Sequence, residues 1–227
     1  MIWPFNPEAR RRRLLKKAPA GPLRDYLAQP FPKPSSDYRE VDYLAIDLET
    51  TGLDAKSDHI LSVGYVIVHG NHIDLSSASH RLVHTAHAIP EASAVIHQIT
   101  DDQAAEGEAL KTVLIDLLKD MAGKVMIAHH ATIEQGFLSN ACKRIFGGGL
   151  LVPIVDTQTV SLRTFQRRQI TYKGSDLRLH ALGDRFNLPR YGAHNALSDA
   201  LAAAELFLAQ AAYKDSGKGV PLRDFLL

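Results

Sequence analysis

The chain has 227 residues, enough for one sizeable domain with its own core and an extension at either end. Its 26 basic residues against 25 acidic ones leave a net charge of +1, so no global field marks a nucleic-acid binder and any basic surface has to be local. The single cysteine, Cys142, excludes an internal disulfide framework and thiolate-rich zinc sites, and no apolar run reaches the roughly 18 residues of a membrane span.

A lone thiol suits a reducing cytoplasm, and carboxylates and histidines remain as possible metal ligands. The opening MIWPFNPEARRRRLLKK sets its charges after its only apolar stub, the wrong order for a signal peptide. Residues 1–40 hold seven of the eleven prolines and the run RRRRLLKK. They are expected to form an appended arm with a short helix over 8–17, either solvated or in contact with nucleic acid or a partner. PLRDYL at 22–27 nearly recurs as PLRDFLL at 221–227, a repetition too short to carry weight by itself.

The compact domain is expected over 41–213, with a tail at 214–227. DYLAIDLE (42–49) reads as a buried strand and HILSVGYVIVHG (59–70) as a second, apolar on both faces. Gly70 and Asn71 suit a tight hairpin into a third strand that ends near residue 84. Leu110, Val113, Leu114, Leu117, Leu118 and Met121 then form one helical stripe, closed by Gly123. KVMIA (124–128) is a short strand, and TIEQGFLSNACKRIF (132–146) a helix with Thr132 and Gln135 spaced as a capping box. VPIV (152–155) is another strand, followed by a polar helix and loop to about 177. The last helix opens at Asn195, a plausible N-cap. Three meandering strands followed by alternating helices and strands indicate an α/β fold with a mixed sheet.

Four acids stand in unusual places. Asp47 and Glu49 close the first strand at positions i and i+2, so their carboxylates share a face. They interrupt an apolar pattern where uncompensated charge is unfavourable, and oxygen-only ligands favour Mg²⁺ or Mn²⁺; on this stretch alone, a strand-end pair facing water fits equally well. Glu134 heads the apolar stripe of its helix, where the helix dipole alone would also stabilise it. Asp199 shares a stripe with Ala202, Ala203 and Leu206. His194, five residues before it, is suited to general-base work, or is an ordinary loop residue. His129 and His130, taken only with Glu134, would read as a compact metal site.

Together, Asp47-x-Glu49-Thr50-Thr51-Gly52, HHATIE (129–134) and HNALSD (194–199) resemble the motifs of the DEDDh exonucleases, the family of the proofreading epsilon subunit of bacterial DNA polymerase III. VIHQIT (95–100) is similar to a further segment of that family. The resemblance runs from about 41 to 212.

It implies a ribonuclease H-like fold, a mixed central sheet flanked by helices, and removal of nucleotides from 3′ ends with two divalent ions, Mg²⁺ or Mn²⁺. The implied metal ligands are Asp47, Glu49, Glu134 and Asp199, with His194 as the base. By position, Thr50, Leu53, His97, His129, His130 and Ile133 line the terminal-nucleotide pocket. The implied partner is a single-stranded 3′ end, DNA or RNA, with a polymerase or repair protein reached through the terminal arms and no membrane. Three positions depart from the family pattern: His130 replaces an asparagine, Ile133 a phenylalanine and Glu134 an aspartate. The glutamate adds one methylene, about 1.5 Å of reach. Residues 162–178, rich in Arg and Lys, are expected to contact the strand backbone or to form a solvated loop.

Overall fold

The structure is a computed structural model that describes residues 7–192 and 194–227, leaving out the side chain of Ala92. Residues 1–6 of the expected arm lie outside the described residues. In chain order the elements are α1 (Pro7–Lys17), α2 (Pro22–Ala28), β1 (Asp42–Thr50), β2 (Ile60–His69), β3 (His72–Leu82), α3 (Glu91–His97), α4 (Asp101–Ala105), α5 (Leu110–Met121), β4 (Val125–Ala128), α6 (Thr132–Phe146), β5 (Ile154–Asp156), α7 (Thr157–Arg167), α8 (Leu179–Asp184) and α9 (Ala196–Lys214).

The five strands form one mixed sheet in the order β3-β2-β1-β4-β5. β1 lies at its centre, antiparallel to β2 and parallel to β4. The β2–β3 hairpin turns at Gly70 and Asn71, with Gly70 at φ +59° as the sequence pattern requires.

Alternation along β1 sorts the core into two layers. Leu44, Ile46 and Leu48 face α2, α5 and α6, while Tyr43 and Ala45 face α9. Asp47 and Glu49, in step with Tyr43, therefore point towards α9. Alanines 200, 203 and 204 are buried on α9 and let its backbone approach the sheet. Residue 64, paired with Asp47, meets the backbone of residues 196 and 197 at the start of α9. Tyr43 packs against Phe207, the rings tilted by 55° with centroids 4.9 Å apart. The helix thus runs antiparallel to β1, its first turn beside the strand's carboxylates.

The described residues of the expected arm and of the expected tail at 214–227 pack against the domain. Leu23, Tyr26 and Leu27 are buried under α5 and α6, and Tyr26 Oη donates to the Leu151 carbonyl at 2.8 Å. Arg11, one of four consecutive arginines, is itself buried, donating to the Leu27 carbonyl and paired with Glu8 at 2.6 Å. At the other end Leu222, Phe225 and Leu226 pack into the α9 layer, and Leu227 N–H donates to Ile154 O at 3.0 Å, covering the β5 edge. The two PLRD segments therefore plug opposite faces of the sheet with one burial pattern: Leu23 and Leu222, Tyr26 and Phe225, Leu27 and Leu226.

The expected capping box at Thr132 is absent. The N-cap of α6 is Ala131 and makes no side-chain bond, because the chain enters the helix from His130 in a left-handed conformation. Asn195 does cap α9, its side chain accepting from Ser198 N–H at 3.2 Å.

Candidate active site

The sheet and α9 bring one carboxylate oxygen each from Asp47, Glu49 and Asp199 within 4.8 Å of one another. What permits this is the absence of a side chain at residue 64. Gly64 sits opposite Asp47, and α9 starts against its bare Cα. Sequence reading missed this residue, although a glycine in the middle of an apolar strand signals close backbone approach.

Glu134, buried in the first turn of α6, stands outside that trio but near enough for its charge to act on Asp47. Burial, then the charges of Glu134, Glu49 and Asp199, raise the Asp47 carboxyl well above the ordinary range. Burial raises Glu134 to about 8, with the charge of Asp156 adding to it. Asp199 is raised too, by burial first, against the His194 N–H that donates to its Oδ2 at 3.0 Å.

Among the described residues no lysine or arginine pairs with any of these four acids. Their basic neighbours are histidines: His97 Nδ1 lies against Glu49 Oε2, and His180 Nε2 is 3.9 Å from Asp199 Oδ1. Glu49 Oε1, Glu134 Oε2 and Asp199 Oδ1 are buried without a hydrogen-bond partner. Converging carboxylate oxygens lacking donors are the ligand chemistry of a hard divalent cation, so the residues fit such an ion.

The remaining expected residues divide. His97 stands beside Glu49, its ring edge-on to His194 at 6.3 Å between centroids. Ser93 on the same helix donates to Thr51 O at 2.8 Å, tying α3 to the turn after β1. His194, whose N–H holds Asp199, is exposed at φ +66°; His130 is exposed at φ +69°, its Nδ1 2.9 Å from Gln158 Oε1, and both are left-handed non-glycine residues. Leu53 is 78% exposed on the turn after β1. Thr50 Oγ1 is used locally, donating to Gly52 O at 2.7 Å. Ile133 packs against the apolar layer beneath α6.

His129 does not line an open pocket. Its Nε2 donates to Leu177 O at 3.0 Å, which fixes the tautomer, and its Nδ1 faces Thr157 Oγ1 at 2.8 Å. Burial pushes its pKa down to about 4, so it is a neutral tie between β4, α7 and the turn at 174–177. Replacing it by alanine removes both bonds and opens a cavity. His129→Ala is expected to lower unfolding free energy by about 2–4 kcal/mol in urea titration while leaving strand affinity per folded molecule unchanged. Lost affinity at unchanged stability would return His129 to the pocket.

Sequence reading also passed over Asp156, buried at the end of β5. It caps α7, accepting from Gln158 N–H at 3.0 Å and Thr159 N–H at 3.4 Å, and it accepts His130 N–H at 3.1 Å. An acid between a short apolar strand and Thr157 is the signal that marks it.

These shifts set a pH dependence for the metal-free protein. Between an ordinary 4.5 and about 8, folded Glu134 keeps a proton that the unfolded chain has released, so stability falls as pH rises. His129 acts in the opposite sense between about 4 and 6.5, where the unfolded chain binds a proton the folded state refuses. His59 and His80, lowered by burial, act with His129, and this opposition fades above 6.5 as the unfolded histidines lose their protons, leaving the raised carboxylates to dominate. Melting temperature in EDTA is therefore expected to fall from pH 6.5 to 8, and Glu134→Gln to reduce the fall. A rising or flat profile would contradict the assigned protonation.

A mixed five-stranded sheet carrying acids at the end of its central strand and at the start of a helix packed on it is a ribonuclease H-like arrangement. The family model for exonucleases of the RNase_T type matches residues 44–207, and the chain belongs to that family, in its DEDDh class. A Treponema pallidum DNA polymerase III subunit epsilon is 29% identical over 188 residues, 80% of this chain and 82% of that protein. A Thermotoga maritima DNA polymerase III of PolC type is 26% identical over 173 residues, which are 76% of this chain but only 12% of the relative. Among solved structures, the nuclease domain of 3′hExo, a DEDDh family member bound to rAMP, superposes with TM-score 0.65 at 14% identity, covering 79% of this chain and 96% of that one.

Proposed function

We propose that the protein is a metal-dependent 3′-to-5′ exonuclease that removes nucleoside monophosphates from single-stranded or frayed DNA. The observation that carries this reading is the trio of carboxylates within 4.8 Å, with buried oxygens lacking any donor. A site that had decayed into a binding module would have no reason to keep these buried charges together.

Asp47, Glu49 and Asp199 would hold the first Mg²⁺ or Mn²⁺ ion, and Glu134 would complete the site for a second. When bound, two such ions supply the positive charge that clamps a scissile phosphate between attacking and leaving oxygens. His194 accepts the proton of the attacking water as its oxygen bonds to phosphorus and the P–O3′ bond breaks. The leaving O3′ takes a proton from solvent, and the strand departs with a new 3′-hydroxyl. Leu53 offers an apolar face to the terminal base, and the exposed His130 is a second candidate contact to the terminal nucleotide. His97, against Glu49, is better placed to orient that carboxylate than to grip a base.

DNA is preferred to RNA because the relatives of matching sequence are named as a DNA polymerase III of PolC type and a DNA polymerase III subunit epsilon. Among the described residues, the segments around Leu23–Leu27 and Leu222–Leu226 pack onto the core, so a polymerase or repair partner would meet a folded surface there. A 5′-labelled oligonucleotide with Mg²⁺ or Mn²⁺ should give a ladder shortened from its 3′ end, and labelled DNA should outcompete RNA of the same sequence. An intact oligonucleotide, or label released first from the 5′ end, would overturn the proposal. A ladder from RNA alone would assign the enzyme to RNA trimming.

A further inference from the structure

A second concavity lies at the far end of α9 from the carboxylates. It has a volume of about 680 Å³ and is enclosed by the ends of α7 and α9, by α8 and by the final residues of the chain. Its floor is aromatic and apolar, with Phe165, Phe186 and Phe225 among the lining residues. Around it stand Arg163, Arg167, Arg168, Arg185 and Lys214, against a single acid, Asp224.

Part of this charge is already engaged. Lys214 pairs with Asp224 at 2.9 Å, and Arg163 donates to Leu226 O at 2.8 Å. Arg167, Arg168 and Arg185 are exposed, and none has an acidic partner among the described residues. Two of them lie over rings, Arg185 at 4.5 Å from the Phe165 centroid and Arg168 at 4.7 Å from that of Tyr213. Gln210, 6% exposed, also lines the groove. Its Nε2 donates to Thr157 O at 2.8 Å and Ser161 Oγ at 2.7 Å, and its Oε1 has no partner.

Arg168 also donates to Tyr213 Oη, and Arg167 Nε to Arg163 O at 3.2 Å, which leaves their charge without an acidic partner. Arginines without acidic partners, two of them over aromatic rings and beside a buried acceptor, are the equipment that holds a single strand without regard to its sequence. The chain also links the groove to the active site. Residues 167–178 run from the end of α7 back to Leu177, whose carbonyl receives His129 and Gln158, and they carry Arg167, Arg168, Lys173 and Arg178, all exposed. Lys214 is fifteen residues beyond Asp199 on one helix, a rise of about 22 Å. An acidic peptide would also meet the charge, but the run of exposed cations leading to the carboxylates favours a strand continuous with the substrate.

We infer that this groove is a second nucleic-acid contact, taking bases and phosphates upstream of the 3′ end that is being cut. The inference rests on the exonuclease reading only for the placement of that 3′ end. The test is fluorescence anisotropy in EDTA, which needs no turnover, with a 5′-labelled DNA dodecamer as probe and an unlabelled trimer as competitor. The protein is compared as parent, as R167A/R185A, and as R10A/R13A, which makes the same change in net charge on exposed positions of α1.

The groove variant is expected to bind the dodecamer about tenfold more weakly at low salt. Its slope of log affinity against log salt should fall by about 1.4, two contacts at roughly 0.7 each. The trimer's affinity, and the dodecamer's affinity for R10A/R13A, should match the parent. Equal dodecamer binding by the groove variant and the parent would overturn the inference and leave the groove to an acidic peptide. A trimer that loses as much as the dodecamer would overturn it as well. Absent hydrolysis by the parent in Mg²⁺ or Mn²⁺ would strike the exonuclease reading alone.

Discussion

Asp47→Asn is expected to lower kcat/KM on a single-stranded oligonucleotide by at least about 10³-fold while making the metal-free protein more stable. Both effects come from the same placement. Asp47 lies at the centre of the acidic site, where the charges of Glu134, Glu49 and Asp199 all act on it and burial raises its carboxyl further. A neutral isostere relieves that repulsion, so the metal-free variant should melt higher than the parent at neutral pH. It also removes an anionic ligand from the cation site on which phosphodiester hydrolysis depends. Manganese should raise the parent's melting temperature through preferential binding to the folded state and should raise the variant's much less. A variant that digests as fast as the parent, or melts lower in EDTA, would contradict the assignment.

The second large effect is expected at a residue with no chemistry of its own. A Cβ at residue 64 would lie 2.1 Å from Leu197 N and 2.2 Å from the Ala196 carbonyl carbon, so Gly64→Ala forces the first turn of α9 away from the sheet. Relief needs a shift of about 1 Å, which carries Asp199 with it and reduces rate by roughly a hundredfold. Overpacking at a buried strand should lower stability by about 3 kcal/mol. Gly136→Ala is the matched control. Its Cβ would meet only Ala55 Cβ, at 3.4 Å, inside the helix that carries Glu134. Stability there should hold or rise by up to about 1 kcal/mol, with activity kept. Equal behaviour of the two variants in urea titration and on labelled oligonucleotide would show that backbone approach at Gly64 does not position the site.

How much of this was legible in the sequence depended on whether the signal was local. Asp47 and Glu49 announced themselves because period-two alternation makes their shared face certain once β1 is recognised. Asp199 and its N-cap Asn195 followed from helical spacing, and the order of the motifs supplied the fold. Gly64 was visible as a letter but not as a constraint, since its meaning needs the helix that lands on it. His129 was misplaced because its two partners, Thr157 and Leu177, are 28 and 48 residues away. The first forty residues looked like a free arm because proline and arginine dominate their composition. Yet Leu23, Tyr26 and Leu27 are spaced to present one helical face, and a seven-residue helix gains its stability from tertiary packing rather than propensity. The groove was least legible, for its walls come from four separate segments between residues 160 and 225.

The central claim is that Asp47, Glu49 and Asp199 form a divalent-cation site served by Glu134. Anomalous diffraction from crystals of the parent protein soaked in MnCl₂ tests it most directly. The expected map has a manganese peak within coordination distance of one oxygen from each of Asp47, Glu49 and Asp199, lost in Asp47→Asn crystals. Manganese bound elsewhere with this cluster empty, or the same peak in the Asp47→Asn protein, would contradict it.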